Sequence, residues 1–210
     1  MVIIQMIVGM LIGLSTLMLG QEYYRNRFKT SMPDVKVYGI AQVTLPMVMA
    51  GLFCRYGYHL LISLQLVILM SLLLLAAKID KHNMIIPNGI IVVLLATKTV
   101  LWLMFYLIDL KHFAEDISQG LCGLVVMAVT FLVLRLAYKG GIGMGDIKLM
   151  VVVGLYLGVM RSMYVLLVAS MAAVVISLMS LAKGKLKVKD SLSFGPSIAL
   201  GGVIVLILGI

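Results

Sequence analysis

A chain of 210 residues that is 63% hydrophobic and 12% charged, with a mean hydropathy of +1.17, has the composition of a polytopic membrane protein. Apolar runs long enough to cross about 30 Å of hydrocarbon recur along its length and leave no room for a soluble domain of usual size. The net charge of +9 is read as Lys and Arg anchoring cytoplasmic loops against membrane lipids, so nucleic acid is not an expected partner.

The spacing predicts an all-α fold of about eight transmembrane helices in one membrane-embedded domain over residues 1–210. The first span covers Val2 to Gly20; with no basic flank and no small-residue cleavage site it is expected to be retained. A polar connection, Gln21 to Tyr38, leads to a shorter span over Gly39 to Cys54 with a kink at Pro46, and then to a third over Tyr58 to Ile79. Lys78 to Asn83 form a tight charged cluster before Ile86-Pro87-Asn88, where the proline can open the fourth span, which reaches Ile108. Inside it, Lys98 either snorkels or faces the bundle.

Asp109 to Asp116 is expected as a polar turn, followed by a fifth span over Ile117 to Tyr138. A sixth covers Ile147 to Met160, Arg161 marks a turn, and a seventh covers Ser162 to Ala182. Lys183, Lys185, Lys187 and Lys189 then form a basic loop before Phe194-Gly195-Pro196 and an eighth span to Ile210. The cysteines, Cys54 and Cys122, are far apart and make no CxxC pair, so they read as small buried apolar residues.

Thirteen of the seventeen Lys and Arg residues fall in the connections after the first, third, fifth and seventh spans, which places those connections in the cytoplasm. Asp80 and Asp146 then share the cytoplasmic membrane level. Asp146 stands in Gly143-Met144-Gly145-Asp146-Ile147-Lys148, where alternating glycines disfavour a regular helix just before the aspartate. An acidic residue at this depth persists where it lines a polar cavity or does chemistry. Asp80 ends one helix and Asp146 starts another, so the helix dipoles act on the two carboxyls in opposite senses.

Two carboxylates of opposed protonation sharing a water are what an aspartic protease uses, one abstracting a proton while the other donates one to the scissile carbonyl. The same residues also suit a proton- or cation-coupled transporter, and Asp80 between Lys78 and Lys81 suits a surface charge pair. The residues by themselves leave these readings open.

Three segments in order across Arg55 to Gly201 add a resemblance. Gly143 to Leu149 is similar to the second catalytic motif of the type IV prepilin peptidases, membrane aspartic proteases of the GxGD type. Asp80 with Ile86-Pro87-Asn88 resembles the first, and Phe194 to Gly201 resembles the family's glycine-proline segment. The resemblance implies a hydrolase that removes a short basic leader from prepilin or pseudopilin substrates at the cytoplasmic face of a prokaryotic cell membrane, in a type IV pilus, protein secretion or DNA-uptake system. It implies Asp80 and Asp146 as catalytic residues. Gly143, Met144, Gly145, Lys148, Pro87, Asn88, Gly195 and Pro196 would support the cleft. Bifunctional members carry two CxxC pairs after the first span; here residues 21–38 hold no cysteine, so zinc is not expected. No cofactor is needed for proteolysis, and S-adenosylmethionine would enter only with methylation.

Overall fold

The computed structural model describes residues 2–29, 32, 35–138, 141–183 and 193–209; Lys139, Lys185, Lys187, Lys189 and Ile210 of the sequence reading lie outside them. The described residues form seven helices: α1 (Val2–Phe28), α2 (Val35–Arg55), α3 (Leu60–Asn83), α4 (Asn88–Ile108), α5 (Leu110–Ala137), α6 (Met144–Ala182) and α7 (Gly195–Leu208). Five of them, α1, α3, α4, α5 and α6, are long and apolar enough to cross a membrane. The chain divides into two compact units, Met1–Leu75 and Ala76–Ile210.

In the first unit α1 and α2 approach until backbone meets backbone. Gly9 and Gly13 of α1, one turn apart, face the Pro46 and Gln42 carbonyls, which a Cβ at either glycine would meet at 2.5 Å. Pro46 has no N–H to give the carbonyl four residues earlier, and that carbonyl is the one of Gln42 that Gly13 faces. The Gln42 amide donates to Thr16 Oγ1 (2.9 Å) and to the Ser71 carbonyl (2.7 Å), so one polar side chain ties α1, α2 and α3. In hydrocarbon such a bond contributes about 0.6–2 kcal/mol.

Several expected connections are helix. The polar segment expected from Gln21 continues α1 to Phe28, where Tyr24 packs 5.2 Å from the Phe28 ring and is 3% exposed. The charged cluster at residues 78–83 is the last turn and a half of α3. The expected turn from Asp109 to Asp116 shrinks to Asp109 alone, because its carboxylate caps α5 by accepting the His112 N–H at 3.2 Å. Cys54 is half-buried and Cys122 exposed on the helix surface, against the expectation of burial; both are free thiols.

The second unit is built on small-residue contacts. On α5, a Cβ at Gly120 would meet the Leu155 carbonyl of α6 at 2.6 Å, and one at Gly123 would overlap the Gly154 carbonyl. The 39-residue α6 breaks at Gly158, whose φ of 74° and ψ of −174° belong to a region essentially reserved for glycine. Its start lies beside the end of α3, since Gly145 packs on Ile86. Six residues along α7, about 9 Å from Gly195 at 1.5 Å per residue, Gly201 touches Val165 and Ala169 of α6.

Those two residues follow Asp146 by 19 and 23 positions, which would carry a straight helix about 28–35 Å away. Gly195 is bonded to Asp80 at the α3 end, so Gly201 can meet both only if α6 folds back on itself at Gly158. The reversal therefore falls three residues before Arg161, where the sequence placed it.

Candidate active site

Asp80 lies in the last turn of α3 and is 5% exposed, which removes the surface-pair reading. Its Oδ2 accepts the backbone N–H of Gly195 at 2.8 Å across 115 residues of sequence. That N–H is free because it belongs to the first turn of α7, where no earlier carbonyl is in helical register. Pro196 follows at the start of the helix, where its missing N–H costs nothing. The fit admits no side chain: a Cβ on Gly195 would meet Oδ2, Cβ and Cγ of Asp80 at 2.8, 3.0 and 3.2 Å.

Asp146 is the third residue of α6, so the glycine-rich break ends two residues earlier than its sequence position suggested, at Gly143. Gly143 caps the helix in an extended conformation, and a Cβ there would lie 2.9 Å from Asp146 Oδ2. Asp146 is close enough to sense the Asp80 charge, and its Oδ1 is buried with no hydrogen-bond partner among the described residues. An orphaned carboxylate oxygen beside a second carboxylate calls for a water or a substrate atom.

The flanking residues hold these helix ends together. Gly145 lets α6 approach the link between α3 and α4, where a Cβ would stand 3.0 Å from that of Ile86. Pro87 precedes the first residue of α4 in an extended conformation and caps it, rather than lying inside the helix. Asn88 opens α4, and its side-chain oxygen accepts a hydrogen bond from Lys148 Nζ at 3.0 Å. Met144 is 56% exposed at the rim. The structure thus sets Gly195 and Pro196 beside Asp80, Gly143 beside Asp146, and Gly145, Lys148 and Asn88 along the contact between the start of α6 and the segment that follows α3.

Two further polar residues are buried. Ser197, which lies within the segment Phe194 to Gly201 but was not singled out as a site residue, is fully buried in the first turn of α7 with a hydroxyl that has no partner among the described residues. Lys98, left between snorkelling and facing the bundle, is 1% exposed and ion-paired with Asp116 at 2.7 Å. Among the described residues no three His, Cys, Asp or Glu side chains cluster as metal ligands would.

A family model described as the type IV leader peptidase family matches residues 67–178, just over half of the chain; the matched segment contains Asp80 and residues 143–148 and stops before Gly195. The prepilin leader peptidase/N-methyltransferase of Bacillus subtilis (strain 168) is 30% identical over 169 residues, 78% of this chain and 64% of that protein. The protein of the same name from Pectobacterium carotovorum subsp. carotovorum is 28% identical over 141 residues, 65% of this chain and 48% of its own. That of Burkholderia pseudomallei (strain 1026b) is 36% identical over 69 residues, 33% of this chain and 22% of its own. The chain therefore spans less than two thirds of the length of these relatives. No solved structure matches it.

Proposed function

The chain belongs to the type IV leader peptidase family, and on that premise we propose that it is a membrane aspartic endopeptidase whose Asp80 and Asp146 cut the leader from prepilin-like substrates at the cytoplasmic face of the cell membrane. The observation that carries the reading is the pairing itself: two carboxyls from helix ends 66 residues apart in sequence, one clamped by a backbone N–H and the other with an open oxygen.

Asp80 Oδ2 is committed to Gly195, which fixes the carboxyl in one rotamer. Asp146 Oδ1 is the uncommitted acceptor, and a water held between the two acids is its natural partner. Asp80, whose ionised form the Gly195 N–H stabilises, takes a proton from that water as it attacks the scissile carbonyl, while Asp146 supplies one to the developing oxyanion. The dyad shares a single proton, so its titration belongs to the pair. Non-helical backbone at residues 141–143 beside the dyad gives an extended substrate segment room to pair. Methylation of the new N-terminus lies outside this reading, though the relatives' names include it.

The test is cleavage of a prepilin-like substrate in detergent or vesicles. Asp80→Asn and Asp146→Asn should each abolish product without loss of folded protein. If either variant cleaves at the wild-type rate the dyad is wrong. If wild type cleaves nothing while reconstituted vesicles show aspartate-dependent cation uptake, the chain is a transporter instead.

A further inference from the structure

A buried charge inside an apolar helix is costly, and Lys98, 1% exposed in the middle of α4, has more partners than neutralisation requires. It lies ten residues into α4, about 15 Å from Asn88 at the rim. Its ammonium pairs with Asp116 of α5 at 2.7 Å, and the same carboxylate oxygen accepts Trp102 Nε1–H at 2.7 Å. The ammonium also stands 5.6 Å from the Trp102 ring centre and 5.2 Å from that of Tyr156 on α6. Tyr156 Oη in turn donates to the Leu94 carbonyl at 2.8 Å and shares a 2.7 Å hydrogen bond with Thr97 Oγ1, both on α4.

Tyr156 lies on the arm of α6 that carries Asp146, ten residues and about 15 Å away. On its α5 side that arm rests on Gly120 and Gly123, backbone against backbone. Met127 of α5 also packs on Gly154 of the arm there. Against α4, the helix that follows Asp80 in the chain, the arm is held by directional bonds, among them the exposed Lys148–Asn88 bond and the buried bonds of Tyr156. Because α4 follows α3 after only residues 84–87, the register of α6 against α4 is the register of Asp146 against Asp80.

We propose that Tyr156, held by the Lys98–Asp116 pair, is a positioning residue that sets the axial register of the Asp146 arm and hence the geometry of the two carboxyls. It rests on the peptidase reading. Neither Tyr156 nor Lys98 touches substrate; they act on the rate through Asp146.

The test measures kcat and KM for leader cleavage by Tyr156→Phe, which keeps the ring and volume, and by Lys98→Met/Asp116→Leu, which removes both charges together and leaves none unpaired. Thermal unfolding in detergent checks that each variant is folded. A displacement of the order of 1 Å costs up to about a hundredfold in rate, so kcat should fall about tenfold or more with KM within about twofold of wild type. Folded variants of both kinds with wild-type kcat overturn the proposal, as does a loss that appears in KM alone or only in proportion to unfolded protein. With wild type active in the same assay these results sink the positioning role and leave the protease standing; a wild type that cleaves nothing sinks both.

Discussion

Gly195→Ala probes the contact that joins the third motif to the first. An alanine Cβ at this position would stand 2.8 Å from Asp80 Oδ2, 3.0 Å from its Cβ and 3.2 Å from its Cγ, where ordinary contact begins at 3.4 Å. Rotating the carboxylate relieves the first clash but not the second, because the Asp80 Cβ is fixed by the α3 backbone. Relief therefore requires α3 and α7 to part by several tenths of an ångström, and the Gly195 N–H bond at 2.8 Å is lost or bent. A hydrogen bond to a charged group contributes about 1.5–3 kcal/mol. At about 1.4 kcal/mol per factor of ten, a site that needs Asp80 in this rotamer should lose about ten- to a hundredfold in cleavage rate. The assay is leader cleavage by detergent-purified protein, with thermal unfolding run in parallel. A folded Gly195→Ala protein that cleaves within twofold of wild type would refute the reasoning. Gly143→Ala is the internal comparison: its Cβ meets only the mobile Oδ2 end of Asp146 at 2.9 Å, with Cγ 3.8 Å away, so its effect should be the smaller.

The remaining predictions concern packing, backbone strain and pH. Gly123→Ala would press a methyl onto the Gly154 carbonyl and to 2.7 Å from the Gly158 backbone, where nothing flexible can yield; it should destabilise the protein by about 2–4 kcal/mol, seen as a lower midpoint of thermal unfolding. Gly158→Ala meets no atom nearer than 3.5 Å but forces a side chain onto φ 74°, ψ −174°, so a loss of about 1–3 kcal/mol from backbone strain alone is expected by the same measurement. The His112 backbone N–H, and then its ring, hold the Asp109 carboxyl below the usual carboxylate range. A lowered folded-state pKa gives the α5 cap stability that is present above the unfolded value of 3.8 and lost as pH falls through the lower one. Hydrogen exchange at the first turn of α5 should accordingly quicken below about pH 4, and Asp109→Asn should abolish that dependence.

Both aspartates were legible in the sequence because each is an ionisable side chain that hydrocarbon does not tolerate without a reason. The glycines before Asp146 were legible as a break, and Gly195 as part of a glycine-proline segment. Their other role, leaving room for a neighbouring carboxylate or for Ile86, was not, because it depends on atoms supplied by distant parts of the chain. Element ends were misplaced where polar residues were read as loop. Lys78, Lys81 and the segment after Asp109 are all helical, since a helix satisfies its own backbone whatever its side chains carry. Lys98 was visible as an anomaly, whereas its partner Asp116 had been assigned to a turn and Tyr156 to an apolar run.

Composition and hydropathy are properties of the linear chain, so a helical membrane protein could be read from them directly, and the isolation of charge in apolar surroundings singled out Asp80 and Asp146 as the candidate pair. The break and return of α6 at Gly158, the bond from Gly195 to Asp80, and the bonds of Tyr156 that join α4 to the arm bearing Asp146 emerge only in the folded chain. Each of these depends on a contact between segments distant in sequence, and a linear pattern of side chains specifies neither the partner nor the distance.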